Sequence, residues 1–140
     1  MSSQKPSKVI IDTNLWISFL IGKELQNLKD IIVTEKIRLV MTDQLVNEIK
    51  FVTARPKLQK YFNQEKVNEL ISLLDIVSDK IKIKKIEKIC RDPKDDFLLA
   101  LCKESKANYL VTGDSDLLAI RVYGRTEILT VNKFKEKIKN

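Results

Sequence analysis

Histidine is absent from the 140 residues, and its absence removes more chemistry than any single residue present suggests. Without imidazole there is no Ser-His-Asp or Cys-His nucleophile, no histidine-liganded zinc and no imidazole acid–base catalyst. Cysteine is scarce as well. Cys90 and Cys102 are too few for a disulfide framework or a cysteine-rich zinc site. They read as reduced thiols of a cytosolic protein, with a single bridge between them left open. Glycine and proline occur three times each, so connections should be short, and there is no linker, repeat or low-complexity tract. The longest near-apolar run, Leu15 to Ile21, is interrupted by Ser18 and falls well short of the roughly 20 residues of a membrane span. The polar start Met1–Lys8 has no apolar signal-peptide stretch. These absences lead us to expect a cytoplasmic chain with no membrane association, folded as one domain over 1–140.

What remains is an ordinary hydrophobic fraction of 44% and an excess of 26 Lys and Arg over 19 Asp and Glu, a net charge of +7. The apolar residues fall into alternating short and long segments. Val9-Ile10-Ile11, Ile37–Met41, Ile81-Lys82-Ile83, Tyr109–Thr112 and Glu127–Thr130 read as strands. Helical spacing runs through Leu15–Phe19 with Leu25, Leu28, Ile31 and Ile32, and through Asp43–Arg55, which Pro56 stops. It recurs in Gln64–Val77, Pro93–Lys106, Asp116–Ile120 and Lys133–Lys139, the last capped by Asn132. Strands separated by helices imply right-handed βαβ units, hence an α/β fold with a central parallel sheet of four to five strands and helices on both faces. In such sheets ligands bind beyond the carboxyl ends of the strands.

Acidic residues occupy those places. Asp12 follows the first strand, with Thr13 and Asn14 after it, and Asp114 and Asp116 follow Tyr109–Thr112. Glu48 borders the apolar stripe of its helix, three residues after Leu45 and four before Val52. Asp92-Pro93-Lys94-Asp95-Asp96 opens the next apolar helix, with Asp92 placed as its cap and Pro93 at the first helical position. Each has a plain local explanation: Asp12 and Asp114 as caps or turns, Glu48 in a salt bridge, Asp95 and Asp96 in a first turn favoured by the helix dipole. Taken together, Asp12, Glu48, one of Asp95 and Asp96, and Asp114 with Asp116 could meet at one edge of the sheet. Like charges that close need compensation, and an all-oxygen donor set suits Mg²⁺ or Mn²⁺. Water activated by such an ion would do the work of the missing imidazole.

These motifs, in this order, resemble the PIN-domain nucleases over nearly the whole chain. The likeness rests on Val9-Ile10-Ile11-Asp12-Thr13-Asn14, Glu48 after the second strand, Asp92-Pro93-Lys94-Asp95-Asp96, and Tyr109-Leu110-Val111-Thr112-Gly113-Asp114-Ser115-Asp116-Leu117-Leu118. The subgroup is similar to the toxin components of toxin–antitoxin modules. The resemblance implies a three-layer α/β/α sandwich of Rossmann-like build, a homodimer, Mg²⁺- or Mn²⁺-dependent cleavage of single-stranded RNA, and a cognate antitoxin as partner. It further implies Asp12 as the central metal ligand, with Glu48 and Asp95 beside it and Asp114 and Asp116 on the metal or its waters. Thr13, Asn14, Thr112 and Ser115 would orient those carboxylates. Asp95 is preferred over Asp96 because the residues three, four, five and seven positions on are then Leu98, Leu99, Ala100 and Cys102; from Asp96 the last would be Lys103.

Two other readings stand beside this one. A non-catalytic RNA- or protein-binding module would keep the fold and the basic surface. A phosphoacceptor domain would use Asp12 as nucleophile but needs a second aspartate where Asn14 stands. The lysines at 80, 82, 84, 85 and 88, and at 133, 135, 137 and 139, read first as solvated faces, and Trp16 and Phe19 as core or dimer packing.

Overall fold

The computed structural model describes residues 6–22, 24–34 and 36–138, with the side chains of residues 24, 25 and 33 set aside. The elements in chain order are β1 Ser7–Ile11, α1 Thr13–Ile21, α2 Glu24–Val33, β2 Ile37–Met41 and α3 Asp43–Thr53, then a 3-10 turn Pro56–Tyr61, α4 Gln64–Val77 and β3 Ser78–Lys80. There follow α5 Pro93–Ser105, β4 Tyr109–Val111, α6 Ser115–Ile120, β5 Val122–Tyr123, β6 Thr126–Leu129 and α7 Val131–Ile138.

The sheet has six strands in the order β3-β2-β1-β4-β6-β5. Every pairing is parallel except that of β5 with β6. Val9, Ile10 and Ile11 in the middle of the sheet are all buried. Consecutive buried residues of a strand point to opposite faces, so both faces are covered, as in a three-layer α/β/α sandwich. Trp16 and Phe19 of α1 pack edge to face within this core, ring centroids 5.9 Å apart.

Several elements differ from their expected bounds. The sheet exceeds the expected four to five strands because a tight turn at Gly124, with φ of +60°, folds β5 back onto β6. The second half of that hairpin is the expected strand at Glu127–Thr130, begun one residue earlier; the first, Val122–Tyr123, is too short for an alternation to be read from sequence. The third strand is Ser78–Lys80 and not Ile81-Lys82-Ile83. It starts where α4 ends, and the Ile81 N–H still donates to the Met41 carbonyl at 2.9 Å. Beyond it 81–92 is irregular, with Ile81 and Ile83 half-buried against the core. A three-residue alternation cannot separate a strand from an extended segment whose isoleucines face inward. The run from Leu15 to Ile32 is two helices divided at Gly22, whose N–H closes α1 on the Ser18 carbonyl. Asn132 lies inside α7, and Thr130 accepts from the Lys133 N–H in its place. Lys139 and the side chain of Leu25 fall outside the described residues.

Candidate metal centre

The chain winds from β1 to β2 on one side of the sheet and returns to β4 on the other side of β1. A crevice therefore opens beyond the carboxyl ends of β1 and β4, where such sheets receive ligands. Asp12 and Asp114 stand at these two strand ends. The Asp12 N–H donates to the Val111 carbonyl at 3.0 Å and locks the two ends together.

Asp12 and Asp114 are also helix caps. Asp12 Oδ1 accepts from the Asn14 N–H at 3.3 Å and starts α1; Asp114 Oδ1 accepts from the Asp116 N–H at 3.3 Å and starts α6. Between them sits the buried Thr112, whose hydroxyl donates to Asp12 Oδ2 at 2.8 Å and accepts from the Asp114 N–H at 3.1 Å. One hydroxyl thus fixes the Asp12 carboxylate and the backbone from which Asp114 projects.

Asp95, Asp114 and Asp116 each present a carboxylate oxygen, and the oxygens lie within 4.8 Å of one another. Burial, followed by the contact with Asp114 and the charges of Asp92 and Asp12, pushes the Asp95 carboxyl up to about 7. Desolvation disfavours the charged form first, and the neighbouring carboxylates add to it. These residues fit a hard divalent cation, and they could hold one with Asp12 alongside. Glu48 and Asp12 are outside the close set of three. Glu48 accepts from the Thr13 hydroxyl at 2.9 Å, and among the described residues no lysine or arginine pairs with it. Its reach toward Asp12 runs through a groove that both line.

The neighbouring aspartates of α5 have different surroundings. Asp96 turns away and accepts the N–H groups of Ile89 at 2.9 Å and Cys90 at 2.6 Å. These bonds hold its carboxyl below the usual carboxylate range. Asp92 caps α5 by accepting from the Lys94 N–H at 2.9 Å, as expected of it. Asn14 is exposed at the cluster's edge and contributes its backbone N–H to Asp12. Ser115 is exposed at the start of α6 and makes no described side-chain hydrogen bond, so nothing in the geometry gives it the orienting part expected of it.

Two hollows of about 670 and 430 Å³ meet at Asp12, Asn14, Lys94 and Leu98. The smaller holds Asp95, Asp114 and Asp116; the larger runs along α3 past Glu48 to Phe51 and Arg55. Lys94 is the one cation common to both linings. Sequence reasoning marks it only as the middle of the aspartate motif. Arg91 carries no sequence signal at all: its guanidinium reaches both oxygens of Asp116, at 3.2 and 3.3 Å, from the irregular 81–92 segment.

Asp96 therefore has a testable structural duty. Asp96→Ala is expected to lower the melting temperature at neutral pH and to expose 81–91 to protease. Because its native carboxyl titrates below the unfolded value of about 3.9, the stabilisation is present above that pH and fades as pH falls. Equal melting temperatures for variant and parent at pH 7 would show that the two N–H bonds carry no weight.

A sequence profile of the PIN domain matches residues 8–116. The chain is also 34% identical over 138 residues to an uncharacterized protein of Methanocaldococcus jannaschii, an alignment covering 94% of this chain and 84% of that protein. The profile match takes in β1 through the Asp114–Asp116 turn, and with it every carboxylate of the crevice, so the chain belongs to the PIN-domain family.

Proposed function

We propose that the protein is a divalent-metal-dependent endoribonuclease that cleaves single-stranded RNA. PIN domains are generally metal-dependent nucleases. The observation that carries the reading is the set of Asp95, Asp114 and Asp116 within 4.8 Å, in the smaller of two grooves that join at Asp12, in a chain of net charge +7. Asp95, Asp114, Asp116 and Asp12 would hold Mg²⁺ or Mn²⁺, with Glu48 facing the same crevice. A bound ion of this kind supplies a water of lowered pKa and offsets charge on the phosphodiester. The chain's own residues do the rest. Thr112 and Thr13 fix the directions of Asp12 and Glu48, and Lys94 attracts the phosphate backbone where the grooves join. On the same reading the protein is a cytoplasmic homodimer and the toxin of a toxin–antitoxin pair, with a cognate antitoxin. The toxin role and its antitoxin rest on the motif likeness to toxin components, the homodimer on the likeness to PIN-domain nucleases, and the cytoplasmic location on the scarce, unpaired cysteines.

The guanidinium of Arg91 on Asp116 favours a second reading, a non-catalytic RNA-binding module in which an internal cation offsets the cluster. Cleavage of an end-labelled, unstructured oligoribonucleotide separates the two. Turnover is expected with Mg²⁺ or Mn²⁺ and none in excess EDTA, with RNA binding that weakens steeply as salt rises. RNA binding without turnover in either metal, or undiminished turnover in EDTA, overturns the nuclease reading.

A further inference from the structure

The larger groove has a property that the carboxylates do not explain. Past Glu48 its wall presents Phe51, roughly one turn further along α3, and then Arg55, two residues beyond the end of that helix. Phe51 is 67% exposed, an unusual position for a phenyl ring in a chain with 6% aromatic residues. The Arg55 guanidinium lies over the ring, 5.2 Å from its centroid. Gln44 and Asn47 from the same helix line the same groove. Its carboxylates are confined to Asp12 and Glu48, while Arg55 and Lys94 supply positive charge. Lys94 stands beside Asp12 where the grooves join, and the far end of the wall, at Phe51 and Arg55, is aromatic and basic with no carboxylate.

Resting on the nuclease reading, we propose that Phe51, braced by Arg55, is a stacking platform for one base of a single-stranded RNA whose backbone passes Asp12, with Gln44 and Asn47 beside that base's edge. An exposed ring with a guanidinium on one face leaves the other face for a flat ligand. Base–aromatic stacking accepts any base, and a basic groove follows the backbone. Cation–π attraction holds the arginine on the ring without burying it. The platform makes Phe51 a positioning residue: it sets which phosphate of the strand reaches the carboxylates.

The test uses the full chain with Asp12→Asn in place, in Mg²⁺, so that RNA is bound without being cut. Binding of a short fluorescein-labelled oligouridylate is read by anisotropy, and circular dichroism checks that each variant is folded. Phe51→Ala is expected to weaken binding roughly 5- to 150-fold, the range spanned by base–aromatic stacking. Phe51→Trp should restore affinity, whereas Phe51→Leu, which keeps an apolar surface but no ring face, should resemble the alanine variant. Unchanged affinity in Phe51→Ala, full affinity in Phe51→Leu, or no RNA binding in the parent overturns the platform. So does a Phe51→Ala variant that loses a dimer in sedimentation while binding RNA as before, because Phe51 would then serve a subunit contact. If the predicted series appears but the Asp12 protein never cuts RNA in either metal, the platform stands and the nuclease reading falls.

Discussion

Asp12→Asn is expected to eliminate metal-dependent RNA cleavage while leaving the fold intact. The substitution removes one of the negative charges acting on the cluster but retains a side-chain oxygen that can cap α1, because asparagine and aspartate cap helices about equally well. Its one amide oxygen can accept from the Asn14 N–H or from the Thr112 hydroxyl, which meet Asp12 Oδ1 and Oδ2 at 3.3 and 2.8 Å, but not from both. The loss should therefore appear in turnover and in metal affinity, with circular dichroism unchanged and the melting temperature moved by no more than the one hydrogen bond given up, about 1 kcal/mol. Residues that merely orient a ligand typically cost 10–100-fold in metal affinity or activity, so Thr112→Val should fall about that far and Asp12→Asn further. Cleavage by the Asp12→Asn protein at the parent's rate in Mn²⁺ would remove Asp12 from the site.

The second large effect is on stability. In the metal-free protein Asp95→Asn should raise the melting temperature at pH 8, even though it alters a buried residue. Burial and the adjacent carboxylates push the native Asp95 carboxyl up to about 7, against about 3.9 in an unfolded chain. Between these values the folded state binds the extra proton, so stability falls as pH rises. The stabilisation is complete below roughly pH 4 and is gone once pH passes about 7. The difference amounts to a few kcal/mol, enough to shift melting by several degrees. An amide at this position has no charge to protonate, so the variant's melting temperature should vary less across this window. Mg²⁺ or Mn²⁺ should stabilise the parent by mass action and the variant much less. Thermal melts from pH 4 to 8, with and without metal, check all of this; an Asp95→Asn protein less stable than the parent at pH 8 would show that Asp95 is not held under repulsion.

Much of this arrangement is legible without coordinates. The β-branched run ending at Asp12, the Asp92-Pro93 helix start and the Gly113-Asp114 turn are local signals, and each element forms at its expected place within a residue or two. Residues brought together over long sequence distances are harder to see. Thr112 and Asp12 are 100 positions apart, Thr13 and Glu48 35, and Arg91 and Asp116 25; no local pattern encodes these pairs. The sequence preference for Asp95 rests on the packing of residues further along α5, and the structure adds a reason of another kind: Asp96 is taken up by the Ile89 and Cys90 N–H groups. Phe51 escapes sequence reasoning because a phenylalanine next to a helical stripe looks like core until its exposure is known.

Three helix starts, α1 at Asp12, α5 at Asp92 and α6 at Asp114, open toward the same crevice, each with an aspartate as its cap. This double employment has a genealogical consequence. A descendant released from selection for activity would still need a short polar side chain at positions 12 and 114 to begin its helices. Drift there should settle on asparagine, serine or threonine before it reaches alanine or leucine. Relatives that read Asn or Ser at both places would be expected to fold as this chain does and to have lost the ability to gather a cation, and their retirement would be visible in two letters.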